Sequence, residues 1–149
     1  MLPELSLACL FRRKISLAKQ EMKRILEVCD SSITREMITL SCRQMGFDVV
    51  ESACGDEGIA LFREHGPFDL VLTDLYYFDE IKEPPLSKSD CIRDGIQFVQ
   101  SIRKINPHQQ IAIHTSSQLE SVGDLEAIPI LKKGADDFLR NLKALLNRL

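Results

Sequence analysis

The chain has 149 residues, 44% of them hydrophobic and 28% charged, an ordinary balance for one soluble domain with a proper buried core. A formal charge of −3 argues against a nucleic-acid-binding surface, and no apolar run approaches a membrane span. Five cysteines (Cys9, Cys29, Cys42, Cys54, Cys91) are odd in number and never spaced Cys-x-x-Cys, so reduced thiols of a cytoplasmic protein are expected, with no disulfide framework and no zinc motif.

Residues 1–21 form an N-terminal extension in which Leu7, Phe11 and Ile15 repeat at helical spacing around Arg12-Arg13-Lys14. The basic residues follow the apolar ones, unlike a secretory signal. A membrane-surface or partner-docking helix, a helix packed on the domain and a segment with little role all stay open. Translation could also start at Met22.

The domain proper is expected over 22–149. Ile25, Leu26 and Val28 suggest a buried first strand, interrupted by Glu27. Asp30-Ser31-Ser32 offers N-cap oxygens for a helix with Ile33, Met37 and Leu40 on one stripe, widened by Ile38, Cys42 and Met45 and stopped by Gly46. Val49-Val50 marks a second strand, and Gly55 opens a second helix ended by Gly66-Pro67. Leu70-Val71-Leu72 reads as the central strand of a parallel sheet, with Asp74 at its C-terminal end. An irregular stretch from Tyr76 to Arg93 precedes a helix from Gly95 to Ile105. Ile111-Ala112-Ile113 forms a fourth strand ending at His114-Thr115. A weaker helix over Gln118–Lys133, broken at Pro129, a short fifth strand at Phe138-Leu139 and a last helix through Leu149 complete the chain.

Five alternations of strand and helix predict an α/β, three-layer, doubly wound parallel sheet in the flavodoxin-like order 2-1-3-4-5. Its C-terminal strand ends would bring together Asp30, Asp74, Thr115 and Asn141. Two close carboxylates call for a cation, and Mg²⁺ suits carboxylates, waters and a phosphate oxygen. An aspartate so placed can attack phosphorus and become an acyl phosphate.

The fragments ILEVCD at 25–30, FDLVLTDLYY at 68–77, DGIQFVQSIRKINP at 94–107, IHTS at 113–116 and GADDFL at 134–139 resemble response-regulator receiver domains of two-component signalling, over 22–149. The resemblance implies that Asp74 accepts a phosphoryl group from a histidine kinase or histidine phosphotransfer protein. It implies that Asp30, Asp74 and the carbonyl of Tyr76 hold Mg²⁺, that Thr115 contacts the phosphoryl group and that Phe138 switches inward. It further implies output through a downstream protein target that reads the last two helices and the fifth strand, and a non-enzymatic role. A homodimer stays open. No output domain is expected after the last helix.

Three departures stand out. Cys29 replaces the first of a usual acidic pair, which predicts weaker Mg²⁺ binding; Asp79, Glu80 or Asp90 could supply a substitute oxygen. Asn141 and Leu142 stand where lysine and proline are expected after the fifth strand. The loop after Tyr76 is long, with Phe78 in place of proline, and His114 occupies a normally apolar strand position. A lid and a tolerated insertion both account for the loop.

The leading reading is thus a phosphorylated single-domain response regulator. The alternative is a receiver-like interaction module that works without phosphorylation, suggested by the positions of Cys29 and Asn141. Enzyme readings fit less well: Asp30-Ser31-Ser32-Ile33 lacks the glycine of a flavin phosphate cradle, and Asp74-Leu75-Tyr76 is not the Asp-x-Asp of a haloacid-dehalogenase-type phosphatase.

Overall fold

A computed structural model describes residues 22–77, 92, 94–116, 127–134 and 136–149. The order of elements is β1 (Arg24–Val28), α1 (Ser32–Gln44), β2 (Asp48–Ser52), α2 (Gly55–His65), β3 (Leu70–Asp74), α3 (Gly95–Ile105), β4 (Ile111–Thr115), β5 (Ile130–Lys132) and α4 (Phe138–Leu146). The sheet is parallel throughout, in the order β2-β1-β3-β4-β5 expected from the sequence.

Side chains alternate across a strand, so each β-strand feeds two cores. Leu26, Val28, Val71, Leu75, Ile111 and Ile113 pack with Phe62 of α2 and Phe98, Val99 and Ile102 of α3. Ile25, Leu70, Leu72 and Ala112 pack on the other face with Ile38 and Cys42 of α1 and Phe138, Leu142 and Leu146 of α4. The central strands β3 and β4 are buried along their whole length, which explains their unbroken apolar reading.

Three local expectations change. Phe138-Leu139 is the first turn of α4 and not a strand: Phe138, Leu142 and Leu146 recur every four residues and bury one helical stripe. The fifth strand lies earlier, at Ile130–Lys132, where residues 118–133 read as a weak helix. Pro129 cannot continue a helix, and two residues after it Leu131 buries against β4 in register with His114. On α1, Ile38 and Cys42 face the sheet, whereas Ile33, Met37 and Leu40 are 81%, 40% and 51% exposed, so the sequence stripe built on them is the outer one. Ser31 caps α1 by accepting from the Thr34 N–H at 3.3 Å. Among the described residues no helix is long and apolar enough to cross a membrane. The N-terminal segment 1–21, the stretch 78–91 with Phe78, Asp79, Glu80 and Asp90, and the helix expected at 118–126 lie outside the described residues.

Candidate functional site

Parallel strands end together, and the residues at their C-terminal ends share one edge of the sheet. Asp74 closes β3, with Cys29 and Asp30 just beyond β1, Thr115 at the end of β4 and Lys133 just beyond β5. Asp74 is in register with His114, which puts Thr115 one step further along the neighbouring strand. The Lys133 N–H donates to the Thr115 carbonyl at 2.8 Å, carrying the chain from β5 into the site.

Asp74 is 7% exposed and ringed by donors. Lys133 Nζ donates to Oδ2 at 2.6 Å, the Cys29 thiol reaches Oδ2 at 3.5 Å, and the Tyr76 N–H approaches Oδ1 at 3.5 Å. Donor atoms of Cys29, Asp30 and Asp74 lie within 4.8 Å of one another. Burial first, and then the charge of Asp74, raises the Asp30 carboxyl above its ordinary value. Burial and the charge of Glu27 push the Cys29 thiol up to about 12, so it stands at neutral pH as an uncharged group beside the carboxylates.

Behind Asp74, α3 starts close against the strand. The Gly95 N–H donates to the Leu75 carbonyl at 2.8 Å, and a side chain at residue 95 would run into the carbonyl oxygen of Asp74. Asp94 caps α3 by accepting from the Gln97 N–H at 2.9 Å, and an isolated antiparallel bridge pairs it with Tyr76. This packing fixes the turn that follows Asp74.

Two sequence-predicted residues lie elsewhere. Asn141 sits on an exposed position of α4 and does not follow β5; the residue that does is Lys133. The absence of a lysine read at Asn141 is therefore corrected: the cation is present, eight positions earlier in the chain, because β5 lies earlier than expected. Phe138 is a buried core residue in the first turn of α4, packed with Leu142 and Leu146. The apolar run Ile128-Pro129-Ile130-Leu131 before Lys132-Lys133 was the sequence signal for both corrections.

The Mg²⁺ expectation can be tested on the donor set. Two carboxylates and the carbonyl of Tyr76 are hard oxygen donors that suit Mg²⁺, and the Asp30–Asp74 repulsion is relieved by a cation. The thiol of Cys29 adds nothing to such a shell. The residues fit the ion with one oxygen fewer.

No protein-family model matches the chain, and no curated protein matches it either. Solved structures do. The chemotaxis response regulator CheY4 of Vibrio cholerae superposes with a TM-score of 0.65 at 22% identity, over 86% of this chain and 98% of that one. The response regulator TrrA of Thermotoga maritima, solved in complex with Mg²⁺–BeF, gives 0.65 at 25% identity over 85% and 98%. A response-regulator receiver domain from Clostridium thermocellum gives 0.58 at 25% identity over 85% and 96%. The chain has the fold of the CheY-like response-regulator receiver domains.

Proposed function

We propose that this chain is a response regulator of a two-component or phosphorelay system, phosphorylated on Asp74 and signalling through protein contacts. The observation that carries the reading is the charge arrangement at Asp74: a nearly buried carboxylate, paired with the Lys133 ammonium at 2.6 Å and close to Asp30, on the edge where parallel sheets place their chemistry.

In this reading an oxygen of Asp74 attacks the phosphorus of a phosphohistidine on a kinase or phosphotransfer protein. The P–N bond breaks, its electron pair leaves with the imidazole, and Asp74 becomes a mixed anhydride. Lys133 then pairs with a phosphoryl oxygen instead of the carboxylate. In this reading Thr115 binds a second oxygen through its hydroxyl. Asp30, Asp74 and the Tyr76 carbonyl would hold Mg²⁺, which when bound would supply positive charge to the phosphoryl group. The new anion biases the domain between two conformations that partner proteins distinguish. Incubation of the full chain with Mg²⁺ and acetyl phosphate, followed by intact mass, is expected to add one phosphoryl group to the wild type and none to Asp74→Asn. An unmodified wild type, or equal modification of both, rejects the reading.

Cys29 supports a second reading, a receiver-like module that binds its partner without phosphorylation, because an uncharged thiol stands at a metal-side position. It requires equal partner affinity for wild type, Asp74→Ala and Asp74→Glu.

A further inference from the structure

Beneath the phosphorylation site lies a second group of polar side chains that the proposed function does not use. Glu27 of β1 and His114 of β4 are both 0% exposed, on strands separated by β3, and His114 Nε2 lies 2.7 Å from Glu27 Oε1. The other atom of each group, Glu27 Oε2 and His114 Nδ1, is buried with no hydrogen-bond partner among the described residues. Cys29, two residues beyond Glu27 on the same strand face, is also 0% exposed. One donor atom from each of Glu27, Cys29 and His114 falls within 4.8 Å of the others.

We propose that these three residues form an inner site for a borderline transition-metal ion of the Zn²⁺ type, separate from the Asp30–Asp74 site and joined to it through Cys29. The chemistry of the donors makes the choice. A thiolate, an imidazole and one carboxylate are ligands of Zn²⁺ and Co²⁺, whereas Mg²⁺ takes oxygen shells. A divalent ion with one thiolate, one carboxylate and a neutral imidazole is a site without net charge, which suits the fully buried position. The unpartnered Glu27 Oε2 and His114 Nδ1 are unmet polar capacity of the kind a bound ion satisfies. Cys29 touches Asp74 at 3.5 Å, and Asp30 beside it is only part-buried, so a single layer of side chains separates the inner group from the outer site. A further thiol, Cys42 of α1, is buried on the same face of the sheet. No Cys or His spacing in the sequence announces this site, since its members come from two strands 87 residues apart.

The test is titration of the full-length, metal-stripped chain with Co²⁺, read as thiolate-to-cobalt charge-transfer absorption and d–d bands of low coordination number. One Co²⁺ per chain is expected, displaced by one equivalent of Zn²⁺ and not by excess Mg²⁺. Asp74→Asn, which removes the outer site, is expected to keep the spectrum. Cys29→Ser is expected to abolish the charge-transfer band. The double variant Glu27→Val/His114→Val, which replaces the polar pair by apolar groups and is checked for folding by circular dichroism, is expected to lose binding. Should the double variant not fold, Glu27→Gln takes its place, with a loss of at least tenfold in affinity expected. Absence of the charge-transfer band in the wild type, its persistence in Cys29→Ser, or binding lost in Asp74→Asn and kept without Glu27 and His114 overturns the proposal. None of these readouts depends on phosphorylation of Asp74.

Discussion

Lys133 Nζ lies 2.6 Å from Asp74 Oδ2 although 59 residues separate them in the chain. Both side chains are largely buried, so the contact is a charge-assisted hydrogen bond shielded from solvent and not a loose surface pair. Such a bond is worth roughly 1.5–3 kcal/mol. Lys133→Met is expected to slow phosphorylation of Asp74 by acetyl phosphate by about tenfold or more, since roughly 1.4 kcal/mol is a factor of ten. Asn141→Ala, on the exposed face of α4, is expected to leave the rate unchanged. Phosphorylation time courses of the two variants followed by intact mass decide the matter.

Gly95 is a steric requirement of the site. Its backbone is held by the Leu75 carbonyl at 2.8 Å, and a methyl group there meets Asp74's own carbonyl oxygen. Gly95→Ala is expected to cost about 1–3 kcal/mol, the range for overpacking a close contact, and to lower the phosphorylation rate as the turn after Asp74 shifts. Gly134→Ala, whose added carbon meets nothing within 4 Å but whose φ of +76° disfavours a side chain, should lose stability only through backbone strain. Chemical denaturation of both, combined with the phosphorylation assay, separates packing from strain.

The Glu27–His114 pair gives a double-mutant prediction. Removing one partner strands the other in the core, and such changes cost about 3–5 kcal/mol. Glu27→Val and His114→Val are each expected to destabilise by that order in the metal-free chain. The double replacement is expected to be near neutral or stabilising, because an apolar pair fits the surrounding Ile25, Leu72, Ala112 and Leu131. Urea midpoints of the four chains give the coupling energy directly.

Asp30 sets a pH dependence. Its carboxyl is raised in the folded chain by burial and by Asp74, above an ordinary value of 3.8. The folded state therefore holds this proton more tightly than the unfolded state. The stability it contributes is full below the ordinary value and is lost as pH rises through the raised one. Asp30→Asn is expected to raise Tm at pH 7 and to leave it unchanged well below pH 3.8, with Mg²⁺ narrowing the difference at pH 7. Thermal melts across that range, with and without Mg²⁺, measure it.

How much of this was legible along the chain depended on distance and length. The runs at Ile25–Val28, Leu70–Leu72 and Ile111–Ile113 announced buried parallel strands, and with them the positions of Asp30, Asp74 and Thr115 at one edge. β5 left only a weak signal, the short apolar run Ile128–Leu131, because three residues with a single buried member, Leu131, carry no periodicity. The error moved the expected cation from Lys133 to Asn141. Glu27 looked like an interruption of a strand until the fold supplied His114 from 87 residues away. A buried polar residue has a meaning only once its partner is known, and partners two strands apart leave no mark on local sequence.

The strand order leaves β2 and β5 as the two rims of the sheet. One rim is only three residues long and shows Lys132 to solvent, and the other shows Asp48 and Glu51. Brevity on one side and charge on both deny a second chain the flat apolar ribbon that runaway strand stacking needs. The fold thus carries its own protection against edge-to-edge aggregation, independent of anything that happens at Asp74.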